Sequence, residues 1–318
     1  MQVAMLKCLT IFTIWASVVF AAPAEHTKMI NLSFLGSAPL GSPSRETGRR
    51  LEGFDPAADD AVNPEELGEY FEGDILFPNG RNGLIAEVSH WKDGIIPYEI
   101  RGSFNQRELG LISDAMDAYK HYTCLRFRPR ASTDVDYVVL ENANTGCWSS
   151  VGRVGGKQVV NLQTPGCFSQ VGTPIHELMH AAGFMHEQNR FERDDNVDIV
   201  WSNIQAGRNN NFQKIDEKTI SGYGVPYDFN SVMHYSEKAF SKNGQATIIA
   251  RRKPDGVIKM GQRAGFSKGD VMKLRRMYQC PNADAPIESK AEPSTGSSGN
   301  GGQPANNGLG NLLNMIFG

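Results

Sequence analysis

The stretch from Thr173 to Asp194, TPIHELMHAAGFMHEQNRFERD, holds the residues with the most chemistry to offer. His176 and His180 are four residues apart, a spacing that on a helix puts both rings on one face, one turn apart. His186 follows six residues later and supplies a third imidazole. Three imidazoles and an open position suit a catalytic zinc ion, and the open position takes a water. The metal lowers the pKa of that water, and Glu177, beside the first histidine, is placed to take its proton.

These side chains need a helix, a sharp stop and a return. Thr173 is expected as the helix N-cap and Pro174 as the first helical residue, where a missing N–H does no harm. Gly183 can take the left-handed backbone that ends the helix and sends the chain back to His186. H-E-x-x-H alone is a short match, and histidines on amphipathic helices are more often core or surface residues. The longer H-E-x-x-H-x-x-G-x-x-H fixes a glycine and a third histidine as well and is far more specific.

The run HELMHAAGFMHEQNRFERD resembles the astacin pattern H-E-x-x-H-x-x-G-F-x-H-E-x-x-R-x-D-R-D within the metzincin clan, with Glu187 as the astacin mark and Glu192 where astacins usually carry Asp. The resemblance covers Asn82 to Cys280. It implies an α+β, zincin-like domain with a twisted mixed sheet, a long active-site helix and an irregular C-terminal part. Ser231-Val232-Met233-His234-Tyr235 is similar to the family's Met-turn. The likeness implies that Met233 forms an apolar floor under the rings. It also implies that Tyr235 binds the resting zinc and then swings away to stabilise the tetrahedral intermediate. His234 is not counted as a ligand, because the fourth position stays open. The likeness further implies a buried link from Glu187 to a new amino group at Asn82.

The chain has 318 residues and a net charge of −3, with no strongly basic stretch, and nothing in it suggests nucleic acid. Residues 1–22 carry Lys7, an apolar run and then small residues, the pattern of a secretory signal peptide, and no stretch is apolar enough to span a bilayer. Cys8 leaves with that signal. Cys124, Cys147, Cys167 and Cys280 remain, an even count that implies two disulfides with three possible pairings. The astacin likeness selects Cys124–Cys280 and Cys147–Cys167.

Residues 23 to about 67 show little periodicity and are expected to be extended or flexible. Asn31-Leu32-Ser33 is a glycosylation acceptor in principle, and Arg49-Arg50 is either a processing site or a solvated pair of charges. Phe77 to Leu84 is rich in turn residues and expected to be exposed, with Arg81 a natural cut for a trypsin-like protease. Residues 106–122 carry apolar positions at helical spacing, and 95–100, 125–128 and 137–140 read as strands. Gly146 to Leu162 carries two short strands whose edge can pair with an extended peptide. Trp201, Ile204 and Phe212 are expected in the core, and Lys268 to Tyr278 forms a short helix that delivers Cys280. Residues 282–318 read as a low-complexity tail ending in the apolar patch LLNMIF.

The expected organisation is a signal peptide to residue 22, a propeptide over 23–81, a peptidase domain over 82–281 and the tail. The expected function is a secreted zinc endopeptidase with Glu177 as general base, cutting protein or peptide substrates after activation at Arg81. Phe71-Glu72-Gly73-Asp74 resembles the family's F-x-G-D motif, which makes Asp74 the candidate carboxylate that blocks the zinc in the uncut chain. Arg251 and Arg252, after the strand 247–249, are candidates for a pocket favouring acidic side chains. The alternative reading is a catalytically silent binding or matrix protein on a zincin scaffold.

Overall fold

β1 (Ile95–Ile100), β3 (Tyr137–Glu141) and β5 (Lys157–Leu162) are rich in branched apolar residues and form the centre of a five-stranded sheet. The computed structural model describes residues 42–58, 62–77, 90–217, 221–252 and 259–287. With β2 (Arg126–Pro129) and β4 (Cys147–Ser149) the strand order is β2-β1-β3-β5-β4. The first four strands run parallel, and β4 runs antiparallel along β5 at the edge. Tyr137 to Leu140 is buried at every position, as expected of a parallel strand covered on both faces.

α2 (Gln106–Tyr122) spans the residues that its periodicity predicts. A reciprocal cap starts it: Asn105 Oδ1 accepts from the Glu108 amide at 3.0 Å, and Glu108 accepts from the Asn105 amide at 2.9 Å. Its buried stripe of Ile112, Ala115, Met116 and Tyr119 faces α3 (Gly172–Ala182), and the Tyr119 hydroxyl donates to the Ile175 carbonyl at 2.8 Å. α3 is buried at all eleven positions, with the sheet and α2 around it. Below Gly183 the chain runs through short 3₁₀ turns and the two-stranded antiparallel sheet of β6 (Val197–Ile199) and β7 (Ile248–Ala250). It then enters α4 (Lys268–Met277). The disulfides are Cys124–Cys280 and Cys147–Cys167, as the family likeness implies.

Several expectations need correction. Upstream of Leu67 the chain is partly folded: α1 (Arg45–Glu52) and a 3₁₀ turn over Pro64–Leu67 dock on the domain. The segment has no core of its own, but it borrows one, with Leu51 and the Glu65 and Glu66 side chains buried. Arg49 and Arg50 lie on α1 and pair with Glu46 and Glu69. Phe77 is buried with Phe71, Val151 and Met185 rather than exposed, and the rest of that turn lies outside the described residues. α3 begins at Gly172 with Val171 at its N-cap, and Thr173 is helical and buried, its hydroxyl directed to Glu65 Oε2 at 3.5 Å instead of capping the helix; the free Gly172 amide is satisfied by the Arg263 carbonyl at 2.9 Å. Ile204 and Phe212 are core residues, but Trp201 starts a 3₁₀ turn after β6 and is 48 % exposed. The signal segment, Asn31, Arg81, Asn82 and the LLNMIF patch lie outside the described residues.

Candidate active site

α3 presents His176 and His180 from successive turns, with ring centroids 4.7 Å apart. Gly183 then takes φ 119°, and its amide closes the helix on the Met179 and His180 carbonyls. The left-handed backbone is what keeps this residue glycine. The return brings His186 Nε2 to 3.2 Å from His176 Nε2, and His180 Nε2 lies 3.1 Å from the same atom.

The tautomers follow from the partners. His176 Nδ1 is 2.7 Å from the Val232 carbonyl, His180 Nδ1 is 2.7 Å from the Phe184 carbonyl, and His186 Nδ1 is 2.8 Å from Glu72 Oε2. Each of these atoms can only accept, so each Nδ1 carries the hydrogen and all three Nε2 lone pairs converge. Asp74 adds a carboxylate at the same point. Its Oδ2 is 3.1 Å from His176 Nε2 and 3.3 Å from His186 Nε2, and its Oδ1 is 3.4 Å from His180 Nε2. Buried lone pairs and an anion gathered this closely need a cation among them. A tetrahedron with bonds of 2.0–2.1 Å has edges of about 3.3 Å, so the spacing and the donor set both fit zinc. Burial takes His176 down to about 4, which keeps it a neutral ligand. Burial also opposes charge on His186, but the Asp74 and Glu72 carboxylates outweigh it and raise His186 to about 9, so without metal a proton serves as the cation there.

Glu177 is fully buried, and neither of its oxygens has a hydrogen-bond partner among the described residues. Burial, then the Asp74 and Glu65 charges, push its carboxyl well above the usual range. The Tyr235 hydroxyl donates to the Glu72 carbonyl at 2.6 Å, and its ring lies 4.6 Å from that of His186. Met233 is buried, and its carbonyl accepts from the Glu187 amide at 3.0 Å. His234 stays out of the cluster: its Nδ1 donates to the Tyr235 carbonyl, and its Nε2 accepts from the Tyr227 hydroxyl at 2.7 Å.

Three sets of residues escaped the sequence reading. Glu72, the variable position of F-x-G-D, reaches both His186 and Tyr235. Nothing in its type or spacing marks it. On α4, Asp270 accepts from the Val232 amide at 2.8 Å and the Ser231 hydroxyl at 2.6 Å, while Lys273 Nζ lies 2.6 Å from Glu187 Oε2. Asp270 and Lys273, one turn apart on a helix of clear periodicity, were the readable signal there. Third, Glu65 forms a buried ion pair with Arg263, while Glu66 Oε1 and Oε2 accept from the Ser236 amide and hydroxyl, each at 2.6 Å.

Glu187, expected to meet Asn82, is held by Lys273, by Arg190 at 2.9 Å and by the Asp228 amide at 2.9 Å. A cavity of about 50 Å³ opens beside it, lined by His186, Arg190, Gly222 and Lys273. Arg251 directly follows β7, is exposed and commits its guanidinium to Asp198 at 2.7 Å; Arg252 is exposed next to it.

A model of the astacin family of peptidases matches residues 84–279. The chain is 42 % identical over 232 residues to the zinc metalloproteinase nas-15 of Caenorhabditis elegans, covering 66 % of this chain and 40 % of that protein. It is 40 % identical over 227 residues to nas-4 of the same organism, covering 68 % of this chain and 70 % of that protein. Among solved structures it is similar to high choriolytic enzyme 1, a hatching enzyme zinc-protease of the medaka Oryzias latipes. The TM-score is 0.55 and the identity 36 %, with 60 % of this chain and 94 % of that one covered. The chain spans about half the length of several of the curated relatives it matches. With the matched span running from just before the sheet to the last disulfide, and the histidine cluster at its centre, this chain belongs to the astacin family of zinc metalloproteases.

Proposed function

We propose that this chain is the latent precursor of a secreted zinc endopeptidase, with His176, His180 and His186 holding the metal and Asp74 blocking it. One observation carries the reading: the Asp74 carboxylate faces all three Nε2 atoms, while Glu177, buried beside it, has no partner. Zinc bound there acts as a Lewis acid that acidifies water and polarises the scissile carbonyl. Once Asp74 has left, Glu177 takes the proton from the attacking water and returns it to the leaving amine. The shift in its carboxyl supports this order. Burial and then the Asp74 charge raise the Glu177 carboxyl, so the departure of Asp74 removes the second of these causes and lowers its pKa toward that of a working base. Tyr235, freed from the Glu72 carbonyl, is the donor for the developing oxyanion.

Cleavage after Arg81 by a trypsin-like protease separates the segment that carries the block from the catalytic chain, so that it can leave, and creates an amino group at Asn82. The cavity beside Glu187 supports a site for that amine, which shares the carboxylate with Lys273. The expected preference for acidic side chains finds a better carrier than Arg251 and Arg252. Arg263 is buried and lies close enough to Glu177 to lower its pKa, and in the precursor it is neutralised by Glu65. With Glu65 gone, a substrate carboxylate can take its place.

The test is a set of variants. Glu177→Gln, activated and shown to retain zinc, is expected to lose peptide hydrolysis, and normal hydrolysis by it would remove the mechanism. Asp74→Ala in an uncleavable Arg81→Ala background is expected to gain basal activity. A double variant as silent as Arg81→Ala alone would show that Asp74 is not the block.

A further inference from the structure

The segment that carries Asp74 makes a second attachment, far from the histidines. α1 lies against the loop between β3 and β4 and against the turn Gly166–Phe168 after β5. At three points of contact the residue is glycine. A Cβ on Gly48 of α1 would stand 2.2 Å from the Asn144 carbonyl oxygen; one on Gly146 would stand 2.5 Å from Thr47 Cγ2; one on Gly166 would stand 2.6 Å from Leu51 Cδ1. Gly146 also has φ 91°, which favours glycine on its own, so the fit is read from Gly48 and Gly166, where each surface has given up a side chain to meet the other. Leu51 fills the space left at Gly166, is 2 % exposed, and joins the core cluster of Leu162 and Phe168.

Polar contacts close the rim. Gln163 Nε2 donates to the Gly48 carbonyl at 3.0 Å, and Asn144 Nδ2 donates to Glu52 at 2.5 Å. The Tyr70 hydroxyl donates to the Thr145 carbonyl at 2.6 Å and accepts from the Ser44 amide at 2.9 Å. None of these contacts touches the histidine cluster. A helix that merely lay on the surface would gain from alanine at position 48, since glycine is a weak helix former. The fit keeps the glycine against that preference.

We propose that α1 is a latch: its Thr47-Gly48 and Leu51 face holds residues 42–77 on the catalytic body after the chain is cut downstream of Phe77. The cut alone therefore does not vacate the zinc site. This rests on the latent-precursor reading above. Hydrolysis of one bond within 78–89 consumes one water and leaves a new carboxylate and a new amine, but it severs neither attachment. Two attachments on one segment keep each other at high local concentration, so the fragment leaves only when both let go together.

The experiment nicks the full precursor with trypsin and locates the cut by mass spectrometry. Fragment retention is then followed by size-exclusion chromatography, with peptide hydrolysis measured alongside. The nicked wild type is expected to elute with its fragment and stay silent, with Arg49 and Arg50 uncut on α1. Gly48→Ala and Leu51→Asp, and Gly166→Ala from the other side, are expected to release the fragment on the order of tenfold to a hundredfold faster. Asp74→Ala, which removes the other attachment and leaves the latch intact, is expected to speed release less than Gly48→Ala does. The proposal is overturned if the wild-type fragment leaves as soon as the chain is cut, or if Gly48→Ala holds it as long as wild type. It is likewise overturned if Asp74→Ala releases it faster than Gly48→Ala does, which would put the main hold at the zinc. Retention is read without catalysis. Variants that release the fragment faster yet hydrolyse nothing would leave the latch standing and remove the enzymatic reading.

Discussion

Before Gly183, strand ladders and two helices bury branched and aromatic side chains such as Ile96, Ile112, Val138 and Leu140. After it the chain runs largely through turns, and buried charges take over much of what the ladder does above. Glu187 joins Lys273 and Arg190, and the Arg193 guanidinium ties the Gln188 and Phe212 carbonyls together. The upper half is held by many interchangeable contacts and the lower half by a few that are not. The lower half also carries His186, Met233 and Tyr235, so the irregular part of the fold depends on ion pairs to place site residues. α4 joins the two, since Asp270 steadies Val232, whose carbonyl holds His176, and Lys273 steadies Glu187 beside His186.

The hardest test of this contrast is Lys273→Met. Breaking a buried pair by removing one partner costs about 3–5 kcal/mol, whereas Ile96→Val in the upper core costs about 1 kcal/mol. Urea unfolding of the precursor compares the two, and equal losses would erase the distinction. A smaller effect is expected from Asp270→Asn, which weakens the hold on the Val232 amide and so on His176. Zinc affinity, read by competition with a chromophoric chelator, should fall on the order of 10- to 100-fold. Unchanged affinity would mean that α4 does not reach the metal site.

The smallest effect concerns pH. Burial, and then the neighbouring Asp270, raise Asp228 from 3.8 to about 6. Below pH 3.8 the folded and unfolded chains both carry the proton. As pH rises from there to about 6 the unfolded chain ionises first, so this group removes stability across that window. Asparagine has no such charge. The stability of Asp228→Asn relative to wild type should therefore grow with pH, by on the order of 2 kcal/mol at neutral pH. A difference that stays flat with pH would show that Asp228 is not strained by its burial.

This contrast also governs what could be read from the sequence. α2 has a 3.6-residue period long enough to stand out, the central strands show as short runs of branched apolar residues, and the helix of His176 and His180 shows through their four-residue spacing. The three histidines follow a spaced pattern, and the structure brings them to one place with Asp74, with the Tyr235 ring beside His186. α1 did not stand out, because its eight residues hold Leu51 as their one large apolar side chain and their packing surface belongs to another part of the chain. Trp201 misled because ring size argues for burial, whereas its turn leaves it at the rim. The partners of Glu187 and of Arg263 lie 86 and 198 residues away, and no local pattern encodes such pairs. Thr173 misled because its hydroxyl turns to Glu65, 108 residues away in the sequence, and not to an amide of its own helix.

The backbone around the zinc-facing carboxylate bears on self-digestion. Glu72 and Gly73 both have positive φ, 47° and 89°, and the Gly73 amide returns to the Tyr70 carbonyl at 3.1 Å. The chain is thus folded back on itself beside the metal site rather than stretched across it. The Glu72 carbonyl is already committed to the Tyr235 hydroxyl. A peptidase needs an extended substrate whose carbonyl is free to be polarised, and this hairpin offers a side chain in its place. On the latent-precursor reading, the inhibitor survives prolonged contact with the active site because it shows the enzyme no bond in a form it can cut. Flattening the turn by replacing Gly73, where an added Cβ would stand 2.8 Å from the Phe240 ring, would turn a durable stopper into food.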